Sequence, residues 1–375
     1  MKNEEARDGE QQQLYGDVLD VIFSHVPLLD LVPASHVSRA WRRSVYSSLR
    51  HFNRPKPWLV VRRQSRRPSL STTTYVYDPR SNLWMEEINH NQPLTPSSGS
   101  SMRSSHSGLV YALSPAKLSF SFDAMGLNWI HVAPPKVWRT DPIVAKVGKM
   151  VVVAGGTWDF EDDPLSVEIY DTEVGEWDAC GSMPDILKDS AASTWLSVAA
   201  NDREMFVTEK SSGIAYSFNP VTKIWVGPVD LRPDPFMYSS AIGFSGSKLL
   251  LIGLIGESTA VKSLKLWEVC RGDDIVNVTC KLIGEVPMGL VERLKGRSGS
   301  LSSVNLTAAG EILYVCNPSE PEDVVIGEIC GGGCRWGSVR NPVVDDGNRM
   351  ERYLFSCCKV GIGELQSRRC FRVVE

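Results

Sequence analysis

The sequence predicts a multidomain α+β chain, a small all-α three-helix domain followed by an all-β six-bladed propeller. Three observations carry the prediction. Up to residue 53, helix punctuation surrounds short apolar stretches; residues 54–57 read RPKP and break the pattern; and beyond them an aromatic–Asp/Asn pair followed by Trp recurs at nearly constant spacing. With 375 residues and 42% hydrophobic content, the chain carries enough apolar surface for both parts to be buried.

Taken in order, residues 1–12 are charged and Gln-rich and are expected to be disordered. They contain no apolar signal segment, and no uninterrupted apolar run of membrane-spanning length occurs, so a soluble protein of the cytoplasm, the nucleus or both is expected, with no membrane partner. The helical domain is placed at residues 13–53. Asp17 precedes Val18, Leu19, Val21, Ile22 and Phe23, and Pro27 closes that first helix. Asp30 reads as the N-cap of a second helix, with Pro33 in its first turn, where a missing N–H costs little. From His36 to Phe52, HVSRAWRRSVYSSLRHF, a helical period gathers Val37, Trp41, Val45, Leu49 and Phe52 into one stripe, with Arg39, Arg43 and Arg50 opposite. Residues 54–57 are the expected linker.

The propeller is assigned to residues 58–375. Tyr77-Asp78 with Trp84, Phe122-Asp123 with Trp129, Tyr170-Asp171 with Trp177 and Phe218-Asn219 with Trp225 share one spacing, and successive tryptophans stand 45, 48 and 48 residues apart. That period is the length of one four-stranded sheet with its turns. The local pattern is strand, Asx turn, then a strand whose large ring packs against its neighbour. Two less regular units follow, Ser239 to Pro287 and Ser298 to Pro342; in the first, Leu282 stands where the repeat places Trp, and in the second, Trp336 lies six positions beyond Cys330. The unit that begins at Trp58 lacks a leading strand, whereas ERYLFSCCKV, near 351–360, is a strand without a unit. The C-terminus is therefore expected to complete the first blade and close the ring. A two-sheet sandwich would not require a fixed Trp period.

Charge and chemistry narrow the function. A formal charge of -4 and a pI near 6.0 argue against a phosphate-covering protein, so no nucleic-acid partner is expected. Nine cysteines without a signal segment read as thiols rather than a disulfide framework. Cys330-x3-Cys334 and Cys357-Cys358 invite a zinc reading, but every histidine falls at or before His131 and no paired C-x2-C occurs, so no metal site and no cofactor are expected. Phosphate loops are absent, and with His90, His106 and His131 the only histidines of the propeller region, a catalytic base has few candidates.

In MVVVAGGTWDFEDDPLSVEIYDTEVGEWDACGSMP, the double Gly after an apolar strand, the YDT, the Trp and the trailing MP resemble the kelch repeat. The stretch LYGDVLDVIFSHVPLLDLVPASHVSRAWRRSV likewise resembles an F-box, with Tyr15 standing where that motif has Pro. Together these identify the chain as similar to the plant-type F-box/kelch-repeat family. The resemblance implies a non-catalytic substrate-recognition subunit of a Skp/cullin/F-box ubiquitin ligase. It would dock on a Skp-family adaptor, and through it a cullin, while the propeller holds an unidentified protein substrate for ubiquitination. A propeller-based enzyme, a metal-dependent oxidase or specifier protein, and a ligase-independent scaffold are the alternatives. Leu14, Leu19, Ile22, Pro27, Leu28, Leu31 and Val37 are expected to form the adaptor-binding patch, since a three-helix domain this small leaves apolar surface uncovered. Substrate contacts are expected from the turns between second and third strands: Arg62, Arg63, Arg66 and Arg67 in the first, and Trp158, Asp159, Phe160 and Asp162 in the third, an aromatic pair with a charged rim.

Overall fold

A computed structural model describes residues 16–52, 54–65, 71–88, 101–157, 163–272, 278–344, 351–366 and 370–374. The chain forms two compact units, residues 1–56 with 360–369, and residues 57–359 with 370–375.

In the first unit, α1 spans Gly16–Ser24, α2 Leu28–Val37 and α3 Arg39–His51. Leu19 and Phe23 of α1 are buried, and the Phe23 ring meets Trp41 of α3 edge-on at 5.3 Å between centroids. The helix boundaries differ from the sequence expectation in two places. The second helix begins at Leu28, with the Pro27 carbonyl accepting from the Asp30 and Leu31 amides at 3.0 and 3.2 Å. Asp30 is therefore not the N-cap but lies in the first turn, where a carboxylate suits the positive end of the helix dipole, and Pro33 lies inside the helix. The stretch from His36 to Phe52 is also two elements rather than one. Ser38 is extended (φ -158°, ψ 168°), and its Oγ accepts from the Trp41 amide at 3.1 Å, which caps α3. Val37 and Phe52 thereby leave the expected stripe, and both are exposed. The face that α3 buries is Ser44, Val45, Ser48 and Leu49. A short helix, Ile362–Gln366, joins this unit by packing on α2, and the Gln366 amide nitrogen lies 3.3 Å from the Ser35 hydroxyl. The propeller expected over 58–375 thus excludes residues 360–369.

The second unit is a six-bladed propeller of antiparallel sheets, in each of which the strands follow one another from the innermost outward. Blade 1 is Arg352–Cys358, Trp58–Ser65, Ser71–Asp78, Leu83–Ile88 and an added outer strand, Cys370–Val373. Blade 2 is Val110–Ser114, Lys117–Ser121 and Ile130–Val132, its innermost strand reduced to a bridge between Arg103 and Tyr111. Blade 3 is Ile143–Val147, Met150–Ala154, Val167–Asp171 and Glu176–Cys180; blade 4 is Leu196–Ala200, Met205–Glu209, Ile214–Asn219 and Ile224–Asp230. Blade 5 is Met237–Ser245, Lys248–Gly256, Val261–Arg271 and Val278–Glu285; blade 6 is Asn305–Ala309, Ile312–Cys316, Asp323–Cys330 and Gly333–Arg340. The C-terminal strand closes the ring in the register Trp58↔Cys358 to Gln64↔Arg352. The core lies between blades: Val152, Ile169, Val198 and Phe218 share one cluster, and Ile252 shares another with Leu313 and Val325. A helix the sequence did not announce, α4 (Met288–Lys295), joins blades 5 and 6 and buries Val291 and Leu294 in the latter cluster.

The repeat has a physical cause in three blades. Tyr77↔Trp84, Tyr170↔Trp177 and Phe218↔Trp225 face each other across adjacent strands, with centroids 5.2, 5.3 and 4.7 Å apart. The Asp or Asn closes the turn between them: Asp171 Oδ1 accepts from the Glu173 and Val174 amides at 2.8 and 3.1 Å, and Asn219 Oδ1 from Val221 and Thr222 at 2.9 and 3.2 Å. Blade 2 keeps the spacing but pairs Phe120 with Ile130, one residue out of that register. A one-residue slip turns a side chain to the other face of the sheet, and Trp129 accordingly packs with Met102, Val110, Leu127 and Leu354. In blade 6 the match of Cys330 to Trp336 is coincidental: Cys330 pairs with Gly333 across a turn formed by Gly331 and Gly332 (φ 58° and 87°), and Trp336 faces Gly327. A Cβ on Gly327 would lie 2.8 Å from the Trp336 ring, so only glycine admits that indole.

One partly buried group gives the propeller an acid-sensitive joint. The His106 ring nitrogens face the amides of Lys146 and Gly108, each at 3.2 Å, and burial together with the Lys146 charge lowers its pKa from 6.5 to about 4. An imidazolium would turn an N–H toward both amides. Because the folded pKa is depressed, stability is fully present above pH 6.5 and is lost as pH falls toward about 4, by about 2–3 kcal/mol from this group. Chemical denaturation at pH 7 and pH 4.5 checks this: His106→Gln is expected to shrink the difference between the two midpoints.

Candidate docking surfaces

The helical unit presents an apolar stripe on α1. Val18, Val21 and Ile22, at i, i+3 and i+4, are 48%, 48% and 45% exposed, while Leu19 and Phe23 point inward. Of the expected patch, Ile22 and Val37 are exposed and Pro27 is half-buried. Leu19, Leu28 and Leu31 are instead buried, at 6%, 2% and 0% exposure, so they set the helices in place rather than form the surface. Leu14 lies outside the described residues. Val18 and Val21 were missed; the signal was present, because DVLDVIF is apolar on two sides of the helix and the core needs one.

In an antiparallel blade, the turn from second to third strand and the connection leaving the fourth emerge on the same face of the ring. On that face a cavity of about 880 Å³ opens, lined by Arg103, Asp141, Thr194, Arg297, Glu322 and Glu351 among others. Its wall is assembled by the double glycine of blade 3. Gly155 and Gly156 have φ of 64° and 71°, and a Cβ on either would overlap the Ala191 or Asp141 backbone, so only glycine lets these segments meet. Gly156 donates to the Ala191 carbonyl at 2.5 Å and accepts from the Thr140 amide at 2.8 Å. Below it, the fully buried Arg139 donates to the Gly155 and Ser166 carbonyls at 2.8 and 2.9 Å and pairs with Glu168 at 3.2 Å. Asp141 is thereby fixed, and its carboxylate accepts from Arg103 (2.8 Å), the Ser193 hydroxyl (2.5 Å) and the Thr194 amide and hydroxyl (3.1 and 2.7 Å). The Lys210 amine donates to the Thr194 carbonyl at 3.0 Å; burial lowers its pKa, and Asp141 opposes that shift.

On the blade 6 side of the cavity, Glu320 accepts from the Arg297 and Ser298 amides, the latter at 2.9 Å. Glu351 accepts from the Tyr353 hydroxyl at 2.9 Å and stands 3.8 Å from the Arg63 guanidinium. Arg103, Asp141, Ser193, Thr194, Arg297 and Glu351 were not singled out by sequence reading because they come from five separate connections or strand ends; the one legible signal was the Gly pair that brings two of those connections together.

The expected substrate residues divide. Arg62 is a correction: it lies within the strand Trp58–Ser65, is 0% exposed, and donates to the Ala124 and Met125 carbonyls at 2.5 and 3.2 Å. It ties blade 1 to the long turn of blade 2 and offers nothing to a partner. Arg63 is half-buried on the same strand, beside Glu351 and 6.0 Å from the Tyr75 ring centroid. Arg66, Arg67, Trp158, Asp159, Phe160 and Asp162 lie outside the described residues.

The cysteines of the zinc reading sit in sheet. Burial raises the thiol pKa of Cys334 to about 12 and that of Cys357 well above its ordinary value, which favours the protonated form over the thiolate a metal needs. Among the described residues no group of three or more His, Cys, Asp or Glu is placed to hold a metal ion, and no helix is long and apolar enough to cross a membrane.

Comparison with known proteins follows these two units. Residues 13–53 match the F-box domain model. Over 368 residues, 95% of this chain and 92% of the relative, the sequence is 43% identical to an F-box/kelch-repeat protein of Arabidopsis thaliana. The solved structure of YjhT is similar at a TM-score of 0.37 and 10% identity, over 56% of this chain and 67% of that one.

Proposed function

Because the chain belongs to the F-box/kelch-repeat family, we propose that it is the substrate-recognition subunit of a Skp/cullin/F-box ubiquitin ligase. In this reading the F-box docks on a Skp-family adaptor and the propeller binds the protein to be ubiquitinated. The observation that carries the reading is the α1 stripe: three apolar side chains left about half exposed on a short helix, within the segment that matches the F-box. Covering each would contribute about 1 kcal/mol, given that full burial of such a side chain is worth ~1.5–3 kcal/mol, which is enough for a partner helix to dock. Pro27 and Val37 extend the surface. The arginines of α3, Arg39, Arg43 and Arg50, are exposed and serve as its solvated rim. The family is generally one of non-catalytic adaptors, and in the proposed complex the ubiquitin chemistry belongs to other subunits. Co-expression of the full chain with a Skp-family adaptor and a cullin tests the proposal: the three should co-purify at fixed stoichiometry, and recovery of the chain without adaptor would refute it.

A further inference from the structure

We propose that the cavity-bearing face of the propeller docks an extended segment of a protein partner, gripping apolar side chains with Trp138, Trp195 and Phe236 and receiving a lysine or arginine beside Glu322. The inference deepens the substrate-receptor reading, on which it rests for the nature of the partner.

Its first support is where the propeller leaves large aromatic surface in water. Among the described propeller residues the exposed aromatics are Trp138, Trp195 and Phe236, at 40%, 61% and 66% exposure. Trp138 follows the fourth strand of blade 2, Trp195 follows that of blade 3 and Phe236 that of blade 4, so all three stand on the face that holds the cavity. Met288, 42% exposed at the start of α4, occupies the same position after blade 5. Four consecutive inter-blade connections thus each present a large apolar side chain where a polar one would be cheaper in the isolated protein. Indoles and aromatic rings so placed are the groups that dominate protein interfaces.

The anchors are also fixed in advance. The Trp195 amide donates to the Ala192 carbonyl at 3.0 Å, and its carbonyl accepts from the Lys210 amide at 3.0 Å. The adjoining Thr194, which lines the cavity, is held by Asp141 and by the Lys210 amine. Trp195 therefore stands next to a cavity-lining residue on a hydrogen-bonded backbone, and little backbone ordering is lost when a partner covers it. Trp138 lines a groove of about 620 Å³ with Pro115, Pro134, Pro135 and Lys136, three of whose walls are conformationally stiff. The Lys262 amine lies 5.3 Å from the Phe236 ring centroid.

Charge selects the side chain that enters. Within the cavity the carboxylates of Asp141, Glu320 and Glu351 are already engaged by protein donors, as is the Arg103 guanidinium. Glu322 differs: it is partly exposed at the cavity wall, and no hydrogen bond or ion pair engages its carboxylate among the described residues. The exposed part of that carboxylate is free to accept a charge-assisted bond from an incoming ammonium or guanidinium, which no group among the described residues supplies. Anchors spread over separate connections fit a polypeptide better than a small molecule confined to the cavity, and an acidic chain is a poor match for nucleic acid.

The test uses the full chain as target for a displayed library of random 12-residue peptides. The expected enriched peptides carry Lys or Arg at a fixed distance from one or more large apolar residues. A synthetic peptide of that consensus should bind at least tenfold more weakly to Trp195→Ala, and several-fold more weakly, with a flatter salt dependence, to Glu322→Gln. Val221→Ser, on the opposite face, should bind it as the wild type does, and all variants should melt with the wild type. No enrichment, an acidic consensus, or unchanged binding by both Trp195→Ala and Glu322→Gln would overturn the inference. Adaptor capture by the same variants is read in parallel, so failure of the F-box reading and failure of this one are told apart.

Discussion

Replacing Val18 and Ile22 by Asp is expected to abolish capture of a Skp-family adaptor while leaving the propeller folded. Both side chains are about half exposed, so the free protein loses little on substitution. In a complex, however, each new carboxylate would be buried against apolar surface without a partner, at a cost of ~2–3 kcal/mol or more apiece. At about 1.4 kcal/mol per factor of ten, the pair should weaken binding by ~1,000-fold or more. The contrasting variant is Leu31→Asp. Leu31 is 0% exposed, so this change should unfold the helical unit rather than merely block docking. Circular dichroism separates the two effects: adaptor loss with intact helicity for Val18→Asp/Ile22→Asp, and loss of both for Leu31→Asp.

Truncation after Val344 is expected to remove the cooperative unfolding transition of the propeller, whereas truncation after Lys359 should preserve it. The shorter chain lacks Arg352–Cys358, which pairs along the whole of Trp58–Gln64 and contributes Leu354 and Cys357 to buried clusters. Its loss exposes the edge of Trp58–Ser65 and opens the contact of blade 1 with blade 6, where Leu59 and Val61 pack with Tyr314 and Val324. Several buried side chains at ~1.5–3 kcal/mol each together reach the net stability of ~5–15 kcal/mol typical of a folded protein. Truncation after Lys359 instead removes the outer strand Cys370–Val373, where Cys370 and Val373 are exposed, and the helix Ile362–Gln366 of the other unit. Thermal melts followed by tryptophan fluorescence distinguish the outcomes, and a cooperative melt for the Val344 truncation would contradict ring closure by the C-terminal strand.

How much of this was legible in the sequence depended on how local the deciding interaction is. The Tyr/Phe–Asp/Asn–Trp repeat was legible because turn and ring pair lie within a single hairpin, as Tyr170, Asp171 and Trp177 show. Ring closure was legible because a strand was missing at one end of the repeat array and surplus at the other. The same spacing misled in blade 6, where Gly331 and Gly332 tighten the turn and move Trp336 opposite Gly327, and it concealed the one-residue slip in blade 2. Register is set by packing across the sheet, which spacing alone does not encode. The packing of Ile362–Gln366 on α2 joins segments more than three hundred residues apart, as Gln366 and Ser35 do, and leaves no local trace. Arg62 was misplaced for the opposite reason: its charge suggested a surface turn, but two carbonyls of a distant loop satisfy it inside the fold. On α1 the run of apolar residues was read as a helix, yet which half faced the core was settled only by Phe23 meeting Trp41.

The central claim, that the helical unit is an adaptor-docking module, is tested most directly by titrating purified full-length protein with a purified Skp-family adaptor in an isothermal calorimeter. Saturable 1:1 binding in the wild type, lost in Val18→Asp/Ile22→Asp and retained in Trp195→Ala, is the predicted result. No heat of binding in the wild type, or equal binding by the α1 variant, would contradict it.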